Sequence, residues 1–199
     1  IYQDYNLIIN CDFNNDITKK FFFKKITKNY ESFAYTTIIK HNKAENNIAT
    51  QIFTNLGPIA FLPISKEETS VVYSINKKGK IDTEKLIKKY NTKYLIKKVG
   101  PFSKFELKSF NIRNYYYKNI LAFGDLLHKI HPLAGQGFNM TVRDIKVLSK
   151  IIKNRIENGL ELDSSVCHEF ENNVKHINFI FSNGVDLIYE FFNLERKDK

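Results

Sequence analysis

Cysteine is nearly absent from this chain of 199 residues, and its two cysteines, Cys11 and Cys167, share no CxxC or Cys/His spacing. That argues against a zinc site and a disulfide scaffold and fits a reducing compartment; no metal site is expected. No apolar run approaches the ~20 residues that span a bilayer, and no cleavable signal pattern opens the chain. Arginine is also scarce, limited to Arg113, Arg143, Arg155 and Arg196. Bidentate phosphate and base contacts favour arginine, so the formal charge of +10 is read as a solvated lysine surface in a background rich in Asn, Ile and Tyr. No nucleic-acid partner is expected; the alternative is an anionic partner such as acidic lipid headgroups. Internal repeats are lacking, as are low-complexity tails beyond the charged residues 195–199. The first residue is Ile1 rather than Met, with strand-like residues close behind, which leads to the expectation of a portion of a longer protein.

What is present is an alternation of short apolar runs and turn residues. Residues 5–10 form a run ending in Cys11-Asp12, as a buried strand does. Strands are predicted over Phe33–Ile39, Ile48–Phe53, Ile59–Ile64 and Thr69–Ile75, with hairpin-length connections that favour an antiparallel sheet. Asp82 caps a predicted short helix, Thr83–Tyr90, and a basic linker follows. Residues 105–107 and 120–123 read as strands, and the tyrosines 115–117 as an edge strand. Val142, Ile145, Leu148, Ile152 and Ile156 recur at helical spacing, with Gly159 as the stop. A second helix is predicted from Asp163-Ser164, with Val166, Phe170, Val174, Ile177 and Phe181 on one face. Asn183-Gly184 is expected to break it and to leave residues 185–192 as a separate apolar piece. The fold class is therefore α+β, with a β-rich middle and a helical end. The segments expected are 1–30, 31–110, 111–160 and 161–199.

The most informative stretch runs from Phe123 to Asp144, FGDLLHKIHPLAGQGFNMTVRD. A strand ending in Gly124-Asp125, a small-residue loop and a helix N-terminus near Phe138 make an arrangement that holds a polar ligand. Asp125 can accept hydrogen bonds from ligand hydroxyls, and Gly124 lets a ligand approach because it has no Cβ. Gly135 and Gly137 free the loop so that successive N–H groups can face one spot, where the helix adds its positive end. An extended ligand with hydroxyls at one end and a group that becomes negative at the other fits, and a flavin has that form.

The stretch GDLLHKIHPLAGQGFNMTVRDIKVL resembles the second flavin-binding motif of the class A flavoprotein monooxygenases. It is most similar to the ubiquinone-biosynthesis hydroxylases, whose pattern runs Gly-(Asp/Asn)-x-x-His, His-Pro-x-x-Gly-Gln-Gly-x-Asn, Arg-Asp. Asp125, His128, His131, Pro132, Gly135, Gln136, Gly137, Asn139, Arg143 and Asp144 match in register. Residues 57–64, GPIAFLPI, resemble the family's Gly-Pro-(Leu/Ile)-Ala-x-Leu-Pro segment of the substrate-side sheet.

The resemblance implies a para-hydroxybenzoate hydroxylase-like fold, α+β and α/β, with a mostly antiparallel substrate-side sheet and C-terminal helices. It implies FAD reduced by NADH or NADPH, and a flavin hydroperoxide at C4a that hydroxylates a prenylated phenol with molecular oxygen in ubiquinone synthesis. The implied cofactor-binding residues are Gly124, Asp125, Pro132, Ala134, Gly135, Gln136, Gly137, Phe138, Asn139 and Asp12, with Pro132 bordering the oxygen site and no catalytic side chain assigned. Contacts with the inner membrane and with a quinone-synthesis complex are implied for an otherwise cytoplasmic protein.

Two departures stand beside this. The family's Gly-x-Gly-x-x-Gly unit for the ADP half of FAD does not occur in this chain, so this extent alone is expected to bind FAD poorly. Phe13 follows Asp12 where the family has glycine. Two rival readings follow, a class A hydroxylase of a soluble aromatic and a non-catalytic scaffold of a quinone-synthesis complex.

For the remaining polar residues the structural reading leads. His128 and His131 are expected to brace the loop. Asp144 is expected on the first turn of its helix, with Arg143 paired locally. His41, His168 and His176 are expected on the surface or on helix faces. Residues 179–192 are expected either to pack on the core or to offer an apolar face to a membrane.

Overall fold

The computed structural model describes residues 4–75, 82–130 and 136–194. The chain forms two compact units, one of residues 29–107 and one of residues 1–28 with 108–199.

The middle unit is built on an antiparallel sheet. Its strands are β2 (Lys25–His41), β3 (Thr50–Thr54), β4 (Gly57–Pro63), β5 (Glu68–Ile75), β6 (Ile96–Val99) and β7 (Ser103–Ile112), in the order β7-β2-β5-β4-β3 with β6 on β2. Register follows the apolar alternation: Phe33 faces Ile75, Tyr35 faces Tyr73, and Ile59 faces Tyr73 from the other side. Val71, Tyr73 and Ile75 therefore point to one buried face and meet Ile39, Ile59, Phe61 and, from α2 (Thr83–Tyr90), Ile87. Asp82 caps α2 through Lys85 N at 3.0 Å, as expected.

Gly57 opens β4 at φ +143°, and a Cβ there would lie 1.8 Å from the Ser74 carbonyl oxygen. The glycine of the Gly-Pro segment thus lets β4 and β5 pair closely. The basic stretch after Tyr90 is not a plain linker, since Ile96–Val99 joins the sheet as β6. His41 is buried rather than on the surface. Its Nε2 lies 3.0 Å from Thr69 Oγ1, and its ring centroid lies 4.4 Å from that of Tyr94.

The other unit has β1 (Ile8–Asn10) parallel to β9 (Ile120–Ala122), with β8 (Tyr116–Tyr117) as the edge strand beside β9. A short α1 (Asp16–Phe21) follows β1, and β10 (His128–Lys129) pairs with the Phe110-Asn111 end of β7. Two long helices complete it, α3 (Gln136–Glu157) and α4 (Ser164–Leu194). Ile120, Leu121, Ala122, Phe123, Leu126 and Leu127 form the centre of its core with Val166, Phe170 and Val174 of α4.

Two expectations for the helices need correction. The buried face of α3 carries Met140, Asp144, Leu148 and Ile151, not the series through Ile145 and Ile156, both of which are exposed. Asn183-Gly184 does not break α4, which runs unbroken to Leu194. A glycine inside a helix costs about 1 kcal/mol relative to alanine. Burial of Val185 against Ile130 and Met140, and the ion pairs of Lys28 with Asp186 (3.4 Å) and Glu190 (2.5 Å), outweigh it. Ile177, Ile180, Leu187, Ile188 and Phe191 are exposed on α4.

Candidate functional site

Parallel strands place their C-terminal ends on one edge, and that edge is where α/β sheets hold ligands. The register Ile8↔Ile120 to Asn10↔Ala122 brings the segment after Asn10 and the segment after Ala122 to the same edge. Phe123 N continues the ladder by donating to Asn10 O at 2.9 Å. Asp12 and Gly124-Asp125, far apart in sequence, thus leave neighbouring strands side by side.

After β9 the chain turns through a single 3₁₀ turn, Gly124–Leu126. Gly124 sits at φ +63°, and nothing lies within 4 Å of the position a Cβ would take. Leu126 and Leu127 plunge into the core and anchor the turn, while Asp125 stays exposed. Among the described residues the Asp125 carboxylate has no hydrogen-bond partner. An open approach beside an unengaged acceptor fits the hydroxyl-bearing chain of a flavin.

Gln136 is the first described residue of α3, two residues earlier than the start expected near Phe138. Gly137, Phe138 and Asn139 lie on that first turn, with Phe138 exposed and Asn139 Nδ2 donating to Gln136 Oε1 at 3.3 Å. His131, Pro132, Ala134 and Gly135 lie outside the described residues.

Asp12 is engaged in turn formation. Its Oδ1 accepts from Asn14 N at 2.8 Å and its carbonyl accepts from Thr18 Oγ1 at 2.5 Å. The hub of this turn is Asn10, which sequence reading did not single out. Its Nδ2 donates to Thr18 Oγ1 at 2.8 Å, and its Oδ1 accepts from Asn15 Nδ2 at 2.7 Å. Phe13, next to Asp12, places its ring 5.3 Å from that of Phe110, with Lys25 Nζ 3.7 Å from its centroid.

Behind the strand edge lies a buried polar cluster. His128 Nε2 donates to Asp144 Oδ2 at 2.8 Å, and Asn178 Nδ2 of α4 donates to the same oxygen at 3.2 Å. Arg143 Nη2 donates to Asp144 Oδ1 at 3.3 Å and also to Asn178 Oδ1. His128 braces from β10, as expected, but Asp144 is not on the first turn of α3. It lies two turns in, on the buried face. It is therefore too far in to complement the helix dipole, and it acts as a buried acceptor for three donors. A polar residue in an apolar helical series (Met140, Asp144, Leu148) is the sequence signal that marks it, and Asn178 stands out the same way in the series Phe170, Val174, Asn178, Ser182. His168 and His176 are exposed, as expected.

The FAD binding domain family matches residues 76–160. The ubiquinone biosynthesis monooxygenase COQ6, mitochondrial, of Danio rerio is 24% identical over 83% of this chain and 43% of its own length. The 3-demethoxyubiquinol 3-hydroxylase of Escherichia coli (strain K12) is 29% identical over 72% of this chain and 39% of its own. Among solved structures, Pseudomonas aeruginosa PqsL in complex with 2-aminobenzoylacetate superposes with a TM-score of 0.69 at 15% identity, over 91% of this chain and 54% of that one. The p-nitrophenol 4-monooxygenase PnpA of Pseudomonas putida DLL-E4 gives 0.69 at 12% identity, over 90% of this chain and 48% of that one. The fold is thus that of the FAD-dependent monooxygenases. Within that class, the curated relatives named here act in ubiquinone biosynthesis by name, and this chain is similar to them. It spans about half the length, or less, of the relatives named here.

Proposed function

We propose that the protein of which this chain is a part hydroxylates the aromatic ring of a prenylated phenol in ubiquinone synthesis, using FAD, NADH or NADPH, and molecular oxygen. The observation that carries this reading is the Gly124-Asp125 turn at the end of β9, an open, positive-φ glycine beside an exposed carboxylate with no partner among the described residues. Bound FAD supplies the oxygen activation, for which no side chain here is suited. Asp125 holds the ribityl hydroxyls, and Gly124 admits the chain to within hydrogen-bonding distance. The loop from Pro132 through Ala134 and Gly135, with Gln136, Gly137, Phe138 and Asn139, binds the isoalloxazine end, Pro132 bordering the oxygen site. The start of α3 favours negative charge there. Asp12 keeps a secondary role near the dinucleotide, and the sheet of residues 29–107 supplies the substrate side. A substrate with a prenyl tail calls for membrane contact and fits assembly with other quinone-synthesis proteins.

The test is flavin retention by the full-length protein. Asp125→Ala is expected to weaken FAD binding roughly tenfold or more, the loss of a charge-assisted hydrogen bond. Unchanged flavin content and affinity would remove the role assigned to Asp125. A second reading, a non-catalytic scaffold, draws on Phe13, whose packing with Phe110 and Lys25 replaces an open glycine. Full-length protein that neither retains nor takes up flavin would favour it.

A further inference from the structure

The sequence Lys19-Lys20-Phe21-Phe22-Phe23-Lys24-Lys25 places three rings between two pairs of lysines, and the fold sorts them. Phe22 is 2% exposed and sits in the core, its N–H donating to Thr18 O at 3.0 Å. Phe21 stacks on Tyr117 of the β8–β9 hairpin with centroids 4.1 Å apart and planes 12° from parallel. Phe23 points outward at 61% exposure. The segment is tied down by Arg113 N donating to Lys24 O at 3.0 Å. Between these elements lies a shallow cavity of about 160 Å³ lined by Lys20, Phe21, Phe23, Lys24, Asn114 and Tyr117, floored by Phe22.

The charge around this cavity is of one sign. Lys20 and Lys24 lie over the rings of Phe21 and Phe23 at 5.3 and 5.9 Å, and Lys118 over Tyr117 at 5.8 Å. Among the described residues none of these three lysines has an acidic partner. The neighbouring carboxylate, Asp16, pairs with Lys19 at 3.7 Å. No lining residue is acidic. A protruding phenylalanine held by a buried neighbour and ringed by unneutralised ammonium groups is complementary to a surface that is apolar below and negative above. A single-stranded nucleic acid would need open ring faces for stacking. Here one face of Phe21 is taken by Tyr117, which leaves Phe23 as a lone exposed ring rather than a stacking platform.

We infer that the Phe23 protrusion, with Lys20, Lys24 and Lys118, docks the protein onto the surface of an anionic phospholipid bilayer. Phe23 enters the interfacial layer, and the lysines meet lipid phosphates. None of the exposed apolar residues of α4 lines this cavity, and its docking requires neither flavin nor aromatic substrate. Its failure leaves the hydroxylase reading untouched.

These 199 residues contribute no tryptophan, so Phe23→Trp introduces a fluorescent reporter at the protrusion, read as the difference from the unsubstituted protein. With vesicles of equal parts phosphatidylcholine and phosphatidylglycerol, its emission is expected to shift to the blue and to be quenched by brominated acyl chains. Pure phosphatidylcholine vesicles should leave it unchanged, and added salt should weaken binding. Each lysine near an anionic surface contributes roughly fivefold in affinity. Lys20→Gln with Lys24→Gln should therefore lower vesicle affinity by roughly twenty-five-fold, and Phe23→Ala should lower it further, with circular dichroism unchanged. The inference is overturned by equal binding to zwitterionic and anionic vesicles, by binding that survives the lysine substitutions, or by an unshifted reporter on bound protein. It is also overturned if Ile180→Glu with Leu187→Glu on α4 abolishes binding while the lysine variant retains it, or if an oligonucleotide shifts the reporter where vesicles do not.

Discussion

His128 and Asp144 meet side chain to side chain at 2.8 Å with each only 1% exposed, so a strand end and the middle of a helix are joined by a single buried hydrogen bond. Asn178 brings α4 to the same carboxylate oxygen. A carboxylate in that position needs donors on both oxygens, and the cluster provides them from β10, α3 and α4. The turn carrying Asp125 is immediately upstream of His128, so the cluster fixes the frame in which the proposed flavin contact stands.

Breaking this cluster is expected to be costly. Removing the carboxylate leaves its donors unsatisfied, about 1–3 kcal/mol for each buried group, and about 3–5 kcal/mol for a buried carboxylate held in such a cluster. Asp144→Ala should lower unfolding stability by that order in urea titrations, and Asn178→Ala by about 1–3 kcal/mol. A double-mutant cycle with His128→Ala should return a coupling well above ~0.5 kcal/mol. Additive losses would show that the pair contributes no more than its parts.

Two glycines should respond differently to alanine. At Gly57 a Cβ would overlap the Ser74 carbonyl oxygen, so Gly57→Ala should displace β4 from β5 and cost ~4 kcal/mol or more. At Gly124 the space is open and only the positive φ is strained, so Gly124→Ala should cost about 1–2 kcal/mol. Thermal unfolding of the two variants checks the order, and equal losses would contradict it.

The two thiols should be chemically distinct. Burial pushes the Cys167 thiol up to about 12, and its side chain is fully enclosed. Cys11 is exposed, with desolvation raising it above the usual thiol value. A thiol reagent near pH 8 should modify Cys11 slowly, faster as the pH rises, and should reach Cys167 only on unfolding. Mass mapping of the labelled peptides reads this directly, and rapid native labelling of Cys167 would contradict the packing of α4.

Alkaline pH should weaken the fold through Tyr115. Burial, opposed by a hydrogen bond to Asn178, with Asp144 and Glu171 nearby, raises its phenol to about 12. Below the ordinary phenol value of about 10 both folded and unfolded states hold the proton, and stability is unaffected. Between about 10 and 12 only the unfolded state loses it, so stability should fall with rising pH by about 2–3 kcal/mol in all. Tyr115→Phe should flatten that slope in urea titrations across this window. An unchanged slope would assign the alkaline loss to other groups.

Much of the sheet was legible because its strands alternate: Val71, Tyr73 and Ile75 on one face read as β5 from sequence alone. The extents were less legible. β2 begins at Lys25 rather than Phe33 because Thr27, Lys28 and Asn29 show no alternation, and β6 hides in a lysine run whose apolar residues, Ile96 and Val99, stand only at its ends. The continuity of α4 through Gly184 came from packing, which local propensity does not contain. Within the candidate site, the turn at Gly124 and Asp125 after β9 was legible from motif order. The Asn10 hub and the His128–Asp144–Asn178 cluster were not, since their members come from separate elements and meet only after the chain has folded.

The placement of β1 has a consequence for synthesis. Ile8 must wait for Ile120 before it can pair, whereas residues 29–107 form one uninterrupted stretch. As the chain emerges from the ribosome, the middle unit can complete its sheet before β9 reaches β1. A translational pause after residue 107 would prolong that interval, and a chaperone bound at the edge of β1 that β9 takes would be released only when β9 arrives to replace it.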